Sequence, residues 1–269
     1  MIEIKSYNRP IQIAEGIYWV GFRDEKTNIG CNPYLVIEGD QAVLIDGGSR
    51  SDFADVMMKI LQVGLDPRQI NSLIYQHYDP DLCGSMMSFI DMCENPNLKI
   101  ISDKNNNIFI SYYISRDKFY LLKSISDYKY KLILNDRVLE FIPTPYSHSA
   151  GSFVTYDTKT GTLFSSDLFG SIFTEPDMFL SLDEKCYSCT NYDSCPNQKP
   201  DCPLKGIFLF HTTIMPCTKS LRYAMHKIED MDIKCIAPQH GSILTNRREI
   251  SYIIKKLKEL EQVGIDGIE

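Results

Sequence analysis

Four apolar segments of this chain end in side chains that can bind a metal ion, and this pattern constrains the fold most strongly. The segment NSLIYQH, at 71–77, predicts a buried strand that leads into His77, Asp79 and Asp81. Residues at alternating positions of an extended segment project to the same side. Three further segments are each followed by one candidate: His148, Asp167 and His240. Because strand ends are rigid platforms, we expect all six side chains to converge on one site.

The order of the predicted elements favours an α+β fold in which two sheets pack together and helices lie outside. Ser51 is a candidate N-cap for the first helix, and Gly64 a candidate for its end. The predicted strands are 16–22, 33–39, 41–48, 71–77, 98–103, 137–146 and 233–241, with a hairpin at 151–167. The predicted helices are 52–63, 85–93, 218–231 and 247–263, with partial helix over 104–135.

Length and charge limit the class of protein. The 269 residues contain no obvious linker, so we expect a single domain over 1–269. The net charge of −7 argues against nucleic-acid binding, which needs a basic face. No apolar run of about 18 residues is present, and the N-terminus lacks the apolar core of a signal peptide. We therefore expect a cytoplasmic protein that does not span a membrane.

The donor set consists of three histidines and three carboxylates, which favours two metal ions over one. Six ligands are too many for one tetrahedral ion and suit two ions that share a bridge. A mixed, carboxylate-rich set fits iron or manganese better than a closed structural zinc site. Two other histidines are expected to bind no metal. His226 lies on the polar side of its predicted helix, whereas His211 is a candidate for contacting the ligands.

The same stretches resemble the motifs of the metallo-β-lactamase superfamily. QHYDPDLCG matches the H-x-[HED]-x-D-H-x-G loop of that superfamily except at Leu82. YSHSAGS (146–152), LFSSDLFG (163–170) and IAPQHG (236–241) are similar to its three later motifs, in the same order. The resemblance covers nearly the whole chain and implies the αββα sandwich of that superfamily, with two mixed sheets.

Within the superfamily, Asp79 distinguishes one branch, because hydrolases usually have a histidine at this position. A carboxylate there is typical of the flavodiiron oxygen and nitric-oxide reductases. The chain most resembles the related oxygen-binding di-iron proteins, which lack a flavodoxin domain, and we expect no flavin domain here. The resemblance implies two irons with these ligands: His77, Asp79 and His148 for one, Asp81 and His240 for the second, and Asp167 as the bridge.

The resulting hypothesis is a non-haem di-iron protein that binds O2 or NO, as an oxygen sensor or an oxygen-reducing, scavenging oxidoreductase. The reductases have a histidine where this chain has Leu82, so Leu82 would leave an open coordination position that suits O2. The expected partners are the gas and an electron donor or signalling protein that the sequence does not identify. Similar reductases suggest a homodimer. The alternative is a binuclear metal-dependent hydrolase, against which Asp79 and Leu82 count.

A Cys-rich insertion at about 183–204 contains four of the nine cysteines, in the pattern C-x2-C-x5-C-x6-C: Cys186, Cys189, Cys195 and Cys202. Four close cysteines in a reducing compartment usually indicate a metal. The spacing is not that of a two-knuckle zinc ribbon, and proline follows both Cys195 and Cys202, as in some iron–sulfur motifs. An iron–sulfur cluster, a structural zinc ion and no metal all remain open. An iron–sulfur cluster could deliver electrons to the di-iron site.

Overall fold

The computed structural model describes residues 7–22, 30–172, 177–190 and 202–268. In this part of the chain, two mixed sheets pack face to face, and helices cover both outer faces. The predicted α+β sandwich of two packed sheets is therefore confirmed. Among the described residues, no helix is both long and apolar enough to cross a membrane.

The first sheet has seven strands that lie in chain order, β1 to β7. Its first four strands are antiparallel and its last four are parallel, with β4 shared between the two groups. Gly39, at φ +62, makes the tight turn between β3 and β4. The strands are β1 Ile11–Ala14, β2 Ile17–Trp19, β3 Tyr34–Glu38, β4 Gln41–Ile45, β5 Ile70–Ile74, β6 Lys99–Ser102 and β7 Leu122–Ser124.

The second sheet has five strands in the order β12-β11-β10-β9-β8. Neighbouring strands are antiparallel except for the parallel pair β11 and β12. The predicted hairpin is formed by β10 and β11, which pair between Thr155 and Phe164. The strands are β8 Lys131–Leu134, β9 Arg137–Pro143, β10 Phe153–Asp157, β11 Thr162–Phe164 and β12 Cys235–Ala237.

The helices are divided between the outer faces of the two sheets. The first sheet is covered mainly by α1 and α3, and the second by α5, α6 and α7. Gly64 ends α1 at φ +91, as predicted. The α-helices are α1 Phe53–Val63, α2 Pro80–Cys83, α3 Met86–Cys93, α4 Lys104–Ile110, α5 Pro203–Ile214, α6 Thr218–Ile228 and α7 Arg247–Glu259.

The strand β4 shows how the core is built. Val43 and Ile45 belong to the cluster between the sheets, whereas Ala42 and Leu44 belong to the cluster under α1 and α3. All four side chains are essentially inaccessible to solvent. Both faces of a central strand are therefore buried, which explains why this segment is continuously apolar rather than alternating.

One local prediction needs correction, and in two other places the structure contains elements that the sequence did not predict. The N-cap of α1 is Asp52 rather than Ser51, and the Asp52 carboxylate accepts a hydrogen bond from the Ser49 N–H at 2.8 Å. The segment 104–135 contains β7 and β8 as well as helix, because these short strands carry little periodic signal. The helix α5 was not predicted, although Pro203 at its first turn was an available signal.

Candidate metal centre

The six predicted side chains come from both sheets and converge. His77 follows β5 of the first sheet, Asp79 is the N-cap of α2, and Asp81 lies within α2. The extended conformation predicted for 77–81 therefore stops at Asp79, yet His77, Asp79 and Asp81 still place one ligand atom each within 4.8 Å of the others. The second sheet contributes three side chains from the loops after β9, β11 and β12: His148, Asp167 and His240.

Asp167 lies between histidines from different parts of the chain. Its Oδ2 is 3.0 Å from His148 Nε2 and 3.8 Å from His77 Nε2. Its Oδ1 is 3.6 Å from His240 Nε2. The two oxygens of one carboxylate thus face two separate groups, which is the arrangement that a bridging ligand requires.

The other two carboxylates each join one of these groups. Asp79 Oδ2 lies 3.4 Å from His148 Nε2, on the side of His77 and His148. Asp81 Oδ2 lies 3.2 Å from His240 Nε2, on the opposite side of Asp167. The geometry therefore contains two adjacent sets of donors that share Asp167.

Hydrogen bonds at Nδ1 orient two of the three histidines. His77 Nδ1 is 3.0 Å from Ser166 Oγ, and His240 Nδ1 is 3.0 Å from the Gly30 carbonyl. A carbonyl can only accept, so Nδ1 of His240 carries the proton. This leaves Nε2 of a neutral His240 as the atom that faces the carboxylates and can bind a metal.

The charges in this group shift one another's pKa. Burial acts to raise the pKa of Asp167, but the charge of His77 and the hydrogen bond from His148 hold it well below its usual range. Burial acts to lower the pKa of His240, yet the hydrogen bond to Asp81 and the charge of Asp167 raise it to about 9. A buried carboxylate that remains ionised among imidazoles is suited to binding a cation.

The donors present fit a pair of metal ions. Among the described residues, Asp167 Oδ1 is a buried oxygen with no hydrogen-bond partner. An unpaired buried carboxylate oxygen is costly unless a cation binds it. The mixture of imidazole and carboxylate donors suits iron, manganese or zinc.

One side of the group is open, and the other is closed by the core. The side chains of Asp79 and Asp81 are 35% and 41% exposed, whereas those of His77 and Asp167 are almost fully buried. Leu82, next to Asp81, is inaccessible to solvent and belongs to the apolar cluster beneath α1 and α3. A small ligand would therefore approach past the two aspartates.

His211 and His226 have different surroundings. His211 is buried; its Nδ1 lies 2.7 Å from the Ile207 carbonyl, and its Nε2 accepts the Phe169 N–H at 3.0 Å. It therefore holds the backbone two residues after Asp167. His226 lies on the surface, where its Nδ1 is 2.7 Å from Glu229 Oε1.

The cysteine segment is only partly described. Cys195 lies outside the described residues. Cys186 and Cys202 are buried in the apolar cluster beneath α5, α6 and α7, and Cys189 is half-buried. Cys202 is the N-cap of α5, the helix that carries His211. The cysteine segment is thus continuous with a helix that contacts the candidate metal centre.

Several polar residues around the centre were not singled out from the sequence. Gln239 donates a hydrogen bond to Asp81 Oδ2 at 2.8 Å. Asp46 accepts hydrogen bonds from the Gln76 backbone and side chain, and burial raises its pKa to about 7. Their positions in the sequence could have identified them, since each is next to an apolar strand or a candidate ligand. Asn32 and Asn106 also contact the loops that carry ligands.

Comparison with known proteins gives one family match and several relatives. A family model described as "ODP family beta lactamase" matches residues 29–241. An uncharacterized protein of Methanocaldococcus jannaschii is 27% identical over 265 residues, which cover 93% of this chain and 60% of that protein. The flavo-diiron protein FprA2 of Clostridium acetobutylicum is 26% identical over 261 residues, which cover 93% of this chain and 61% of that protein. This chain therefore spans about three fifths of the length of these relatives.

Solved structures share the fold. Rubredoxin oxygen:oxidoreductase from Desulfovibrio gigas superposes with a TM-score of 0.77 at 20% identity, over 93% of this chain and 61% of that chain. The apo state of the chemotaxis sensor ODP from T. denticola superposes with a TM-score of 0.73 at 20% identity, over 96% of this chain and 95% of that chain.

The matched region contains all six converging side chains. It extends over residues 29–241 of the 269, well over half of the sequence. The sandwich of two sheets agrees with the fold of the superposed structures. This chain therefore belongs to the ODP family of β-lactamase-like proteins.

Proposed function

We propose that this protein is a non-haem di-iron protein that binds O2, or NO, and that it acts as a gas sensor. The observation that carries the proposal is the position of Asp167, whose two oxygens face two separate histidine groups. Two ferrous ions bound there would supply the electrons for binding or reducing the gas. The family match and the names of the relatives, which include a flavo-diiron protein and a chemotaxis sensor, support this choice.

The proposed ligands follow the two donor sets. One iron would be held by His77, Asp79 and His148, the other by Asp81 and His240, and Asp167 would bridge them. Asp79 supports iron over zinc, because an additional carboxylate favours harder ions. The partly exposed Asp79 and Asp81 leave a path for a small molecule, while the buried His77 and Asp167 keep the opposite side away from water.

The choice between sensing and reduction rests on Leu82. The side chain of Leu82 packs into the apolar core and offers no donor atom, which supports an open coordination position beside Asp81. Replacing it with histidine, Leu82→His, should change the lifetime of the spectral change that follows mixing with O2. An unchanged lifetime in a folded, iron-loaded variant would contradict the open-position argument.

The cysteine segment is proposed to bind a metal of its own. Cys186 and Cys202 are buried in one apolar cluster, and four cysteines lie within one short stretch of sequence. We favour an iron–sulfur cluster over structural zinc, and such a cluster could exchange electrons with the di-iron site. Colourless anaerobic protein that contains zinc and no sulfide would contradict this part of the proposal.

The main experiment is anaerobic purification followed by counting of iron, zinc and sulfide, and then by rapid mixing with O2. The proposal expects two irons per chain at the six-ligand site and a long-lived spectral change without turnover. Rapid O2 consumption with an electron donor would instead indicate a reductase. Two zinc ions together with ester or phosphodiester hydrolysis would overturn the proposal in favour of a hydrolase.

A further inference from the structure

We propose that Asn32 and Asn106 are positioning residues, each responsible for one of the two metal positions. This inference rests on the two-metal part of the proposed function. Both side chains are fully buried, and both donate hydrogen bonds to backbone carbonyls of the segments that carry the candidate ligands. Asn32 lies just before β3 and Asn106 lies in α4, and the two residues share no contacted segment.

Asn32 holds the turn that carries His240. Its Nδ2 donates to the Pro238 carbonyl at 2.9 Å and to the Gly241 carbonyl at 3.1 Å, so one amide group spans His240 from both sides. Its backbone N–H donates to the Gln239 carbonyl at 2.7 Å. Three hydrogen bonds from one residue thus define the conformation of a four-residue turn.

The same turn also orients Asp81. The Gln239 side chain, which extends from this turn, donates to Asp81 Oδ2 at 2.8 Å. Asn32 is itself fixed, because Trp19 Nε1 donates to Asn32 Oδ1 at 2.9 Å. Asn32 therefore positions His240 directly and Asp81 through Gln239, which are the two ligands that belong to the second position alone.

Asn106 makes the corresponding contacts at the first position. Its Nδ2 donates to the Gly151 carbonyl at 2.8 Å and lies 3.3 Å from the Gln76 carbonyl. Gln76 immediately precedes His77, and Gly151 lies in the loop that carries His148. One amide group thus links the segments that carry the two histidines of the first position.

Gly151 shows how closely Asn106 approaches this loop. A Cβ atom at Gly151 would lie 2.8 Å from Asn106 Cγ, which is closer than real atoms pack. Ser149 Oγ is 3.5 Å from Asn106 Oδ1, so the loop contacts both ends of the amide. The loop conformation that presents His148 therefore depends on the amide of Asn106.

The asparagine amide suits this role because it has two N–H donors in one plane and an acceptor opposite them. Alanine at either position would remove two donated hydrogen bonds from a ligand-carrying segment and allow it to relax. The Pro238 carbonyl would keep the Tyr34 hydroxyl as a donor, and the Gln76 carbonyl would keep the Phe153 N–H. Groups that orient metal ligands typically change metal affinity by about 10–100-fold when they are removed. The structure predicts that this loss is confined to one position for each asparagine.

The experiment is an anaerobic titration of the metal-free protein with Mn(II), followed by pulsed EPR to count imidazole nitrogens on the bound ion. Asn32→Ala should weaken one ion by about 10–100-fold, and the retained ion should show the two imidazoles of His77 and His148. Asn106→Ala should weaken the other ion by a similar factor, and the retained ion should show the single imidazole of His240.

A third asparagine provides a matched control. Asn95 Nδ2 also donates to two backbone carbonyls, those of Arg68 at 2.9 Å and Ile70 at 3.0 Å, but these lie outside the ligand segments. Asn95→Ala should keep both Mn(II) ions at wild-type affinity, even if its unfolding temperature falls. A loss of metal in Asn95→Ala as large as in the other variants would mean that general destabilisation, not positioning, explains the effect.

Two results would overturn the inference while leaving the proposed function intact. One is parallel loss of both ions in Asn32→Ala and Asn106→Ala, and the other is wild-type affinity in both. If either alanine variant fails to fold, Asn32→Leu and Asn106→Leu keep the branched shape of the side chain and remove the two donors without adding a charge, and the same position-specific losses are expected. Because the titration uses neither iron nor O2, a failure of the iron or gas-binding proposal is seen separately.

Discussion

At the scale of single residues, the centre depends on which histidines face Asp167. His148 and His77 approach Oδ2, and His240 approaches Oδ1, so each histidine has a defined place relative to the shared carboxylate. His226 has the same side chain but lies on the surface beside Glu229. The role of a histidine in this protein is thus set by its position after a strand end and not by its chemistry alone.

Replacing His148 should separate these roles. His148→Ala removes a donor from the first position and should lose most of the iron bound there, with at least a tenfold loss of affinity for that ion. His226→Ala should keep wild-type iron content, because His226 contacts only Glu229 among the charged groups of the described residues. Iron analysis of both anaerobically purified variants, with circular dichroism to verify folding, makes the comparison. Equal iron loss in the two variants would contradict the ligand assignment.

The burial of His211 predicts how the unfolding free energy changes with pH. Burial lowers its pKa from 6.5 to about 4, so the folded protein keeps it neutral while the unfolded chain protonates it near pH 6.5. The resulting stability is complete above pH 6.5 and is lost progressively as the pH falls from about 6.5 to about 4. Between pH 7 and 4, the metal-free wild type should lose up to about 3 kcal/mol more unfolding free energy than His211→Gln. Denaturant titrations at each pH measure this difference, and identical pH profiles would show that His211 does not titrate in this way.

At the scale of secondary-structure elements, a buried arginine joins the two sheets. Arg137, at the start of β9, is inaccessible to solvent and lies 3.0 Å from Glu38 of β3 and 3.5 Å from Asp157 of β10. It also donates to the Glu15 carbonyl at 2.6 Å. Such a group is costly to bury, but removing it alone takes away the counter-charge of the buried Asp157, whereas Glu38 keeps Lys159 at 3.0 Å.

Arg137→Met should therefore destabilise the protein by about 3–5 kcal/mol. Lys131→Met is the comparison, because Lys131 on β8 forms an exposed pair with Glu140 at 2.7 Å. This surface pair should contribute less than about 1 kcal/mol. Chemical denaturation measures the unfolding free energy of the two variants. Equal losses in Arg137→Met and Lys131→Met would show that Arg137 stabilises the protein no more than a surface cation does.

At the scale of the whole molecule, the candidate metal centre lies where the two halves of the sandwich meet. His77, Asp79 and Asp81 follow β5 of the first sheet, whereas the other candidate ligands follow strands of the second sheet. Ions bound between them would favour the folded state, because the unfolded chain does not bring these donors together. Stability and metal content should consequently be coupled.

Removal of metal should lower the unfolding temperature of the whole domain. At a free-ion concentration about 100 times Kd, each ion stabilises the fold by about 3 kcal/mol. The wild type treated with a chelator should thus unfold at a lower temperature in calorimetry, and re-addition of Fe(II) under anaerobic conditions should restore it. Asp167→Asn, which alters the ligand shared by both positions, should show little response to metal. An unfolding temperature independent of metal in the wild type would contradict a centre shared between the sheets.

The sandwich and the identity of the six candidate ligands could be predicted from the amino-acid sequence alone. Both follow from local signals: strands are short runs rich in apolar, β-branched and aromatic residues, and a polar residue directly after such a run stands out. The helix α1 and the hairpin of β10 and β11 were predicted for the same reason. Asp79 also indicated the branch of the superfamily, because it occupies the motif position where hydrolases usually have a histidine.

The arrangement of these residues, and the contacts that hold them in place, depend on the folded structure. That Asp167 divides its two oxygens between histidines of different loops depends on contacts between residues far apart in the chain. Asn32, Asn106 and Arg137 gave no periodic signal, because their function lies in hydrogen bonds and charges that reach across segments distant in sequence. Local sequence patterns indicate which residues are buried and to which side they project. Long-range polar contacts, in contrast, form only when the two sheets have packed together.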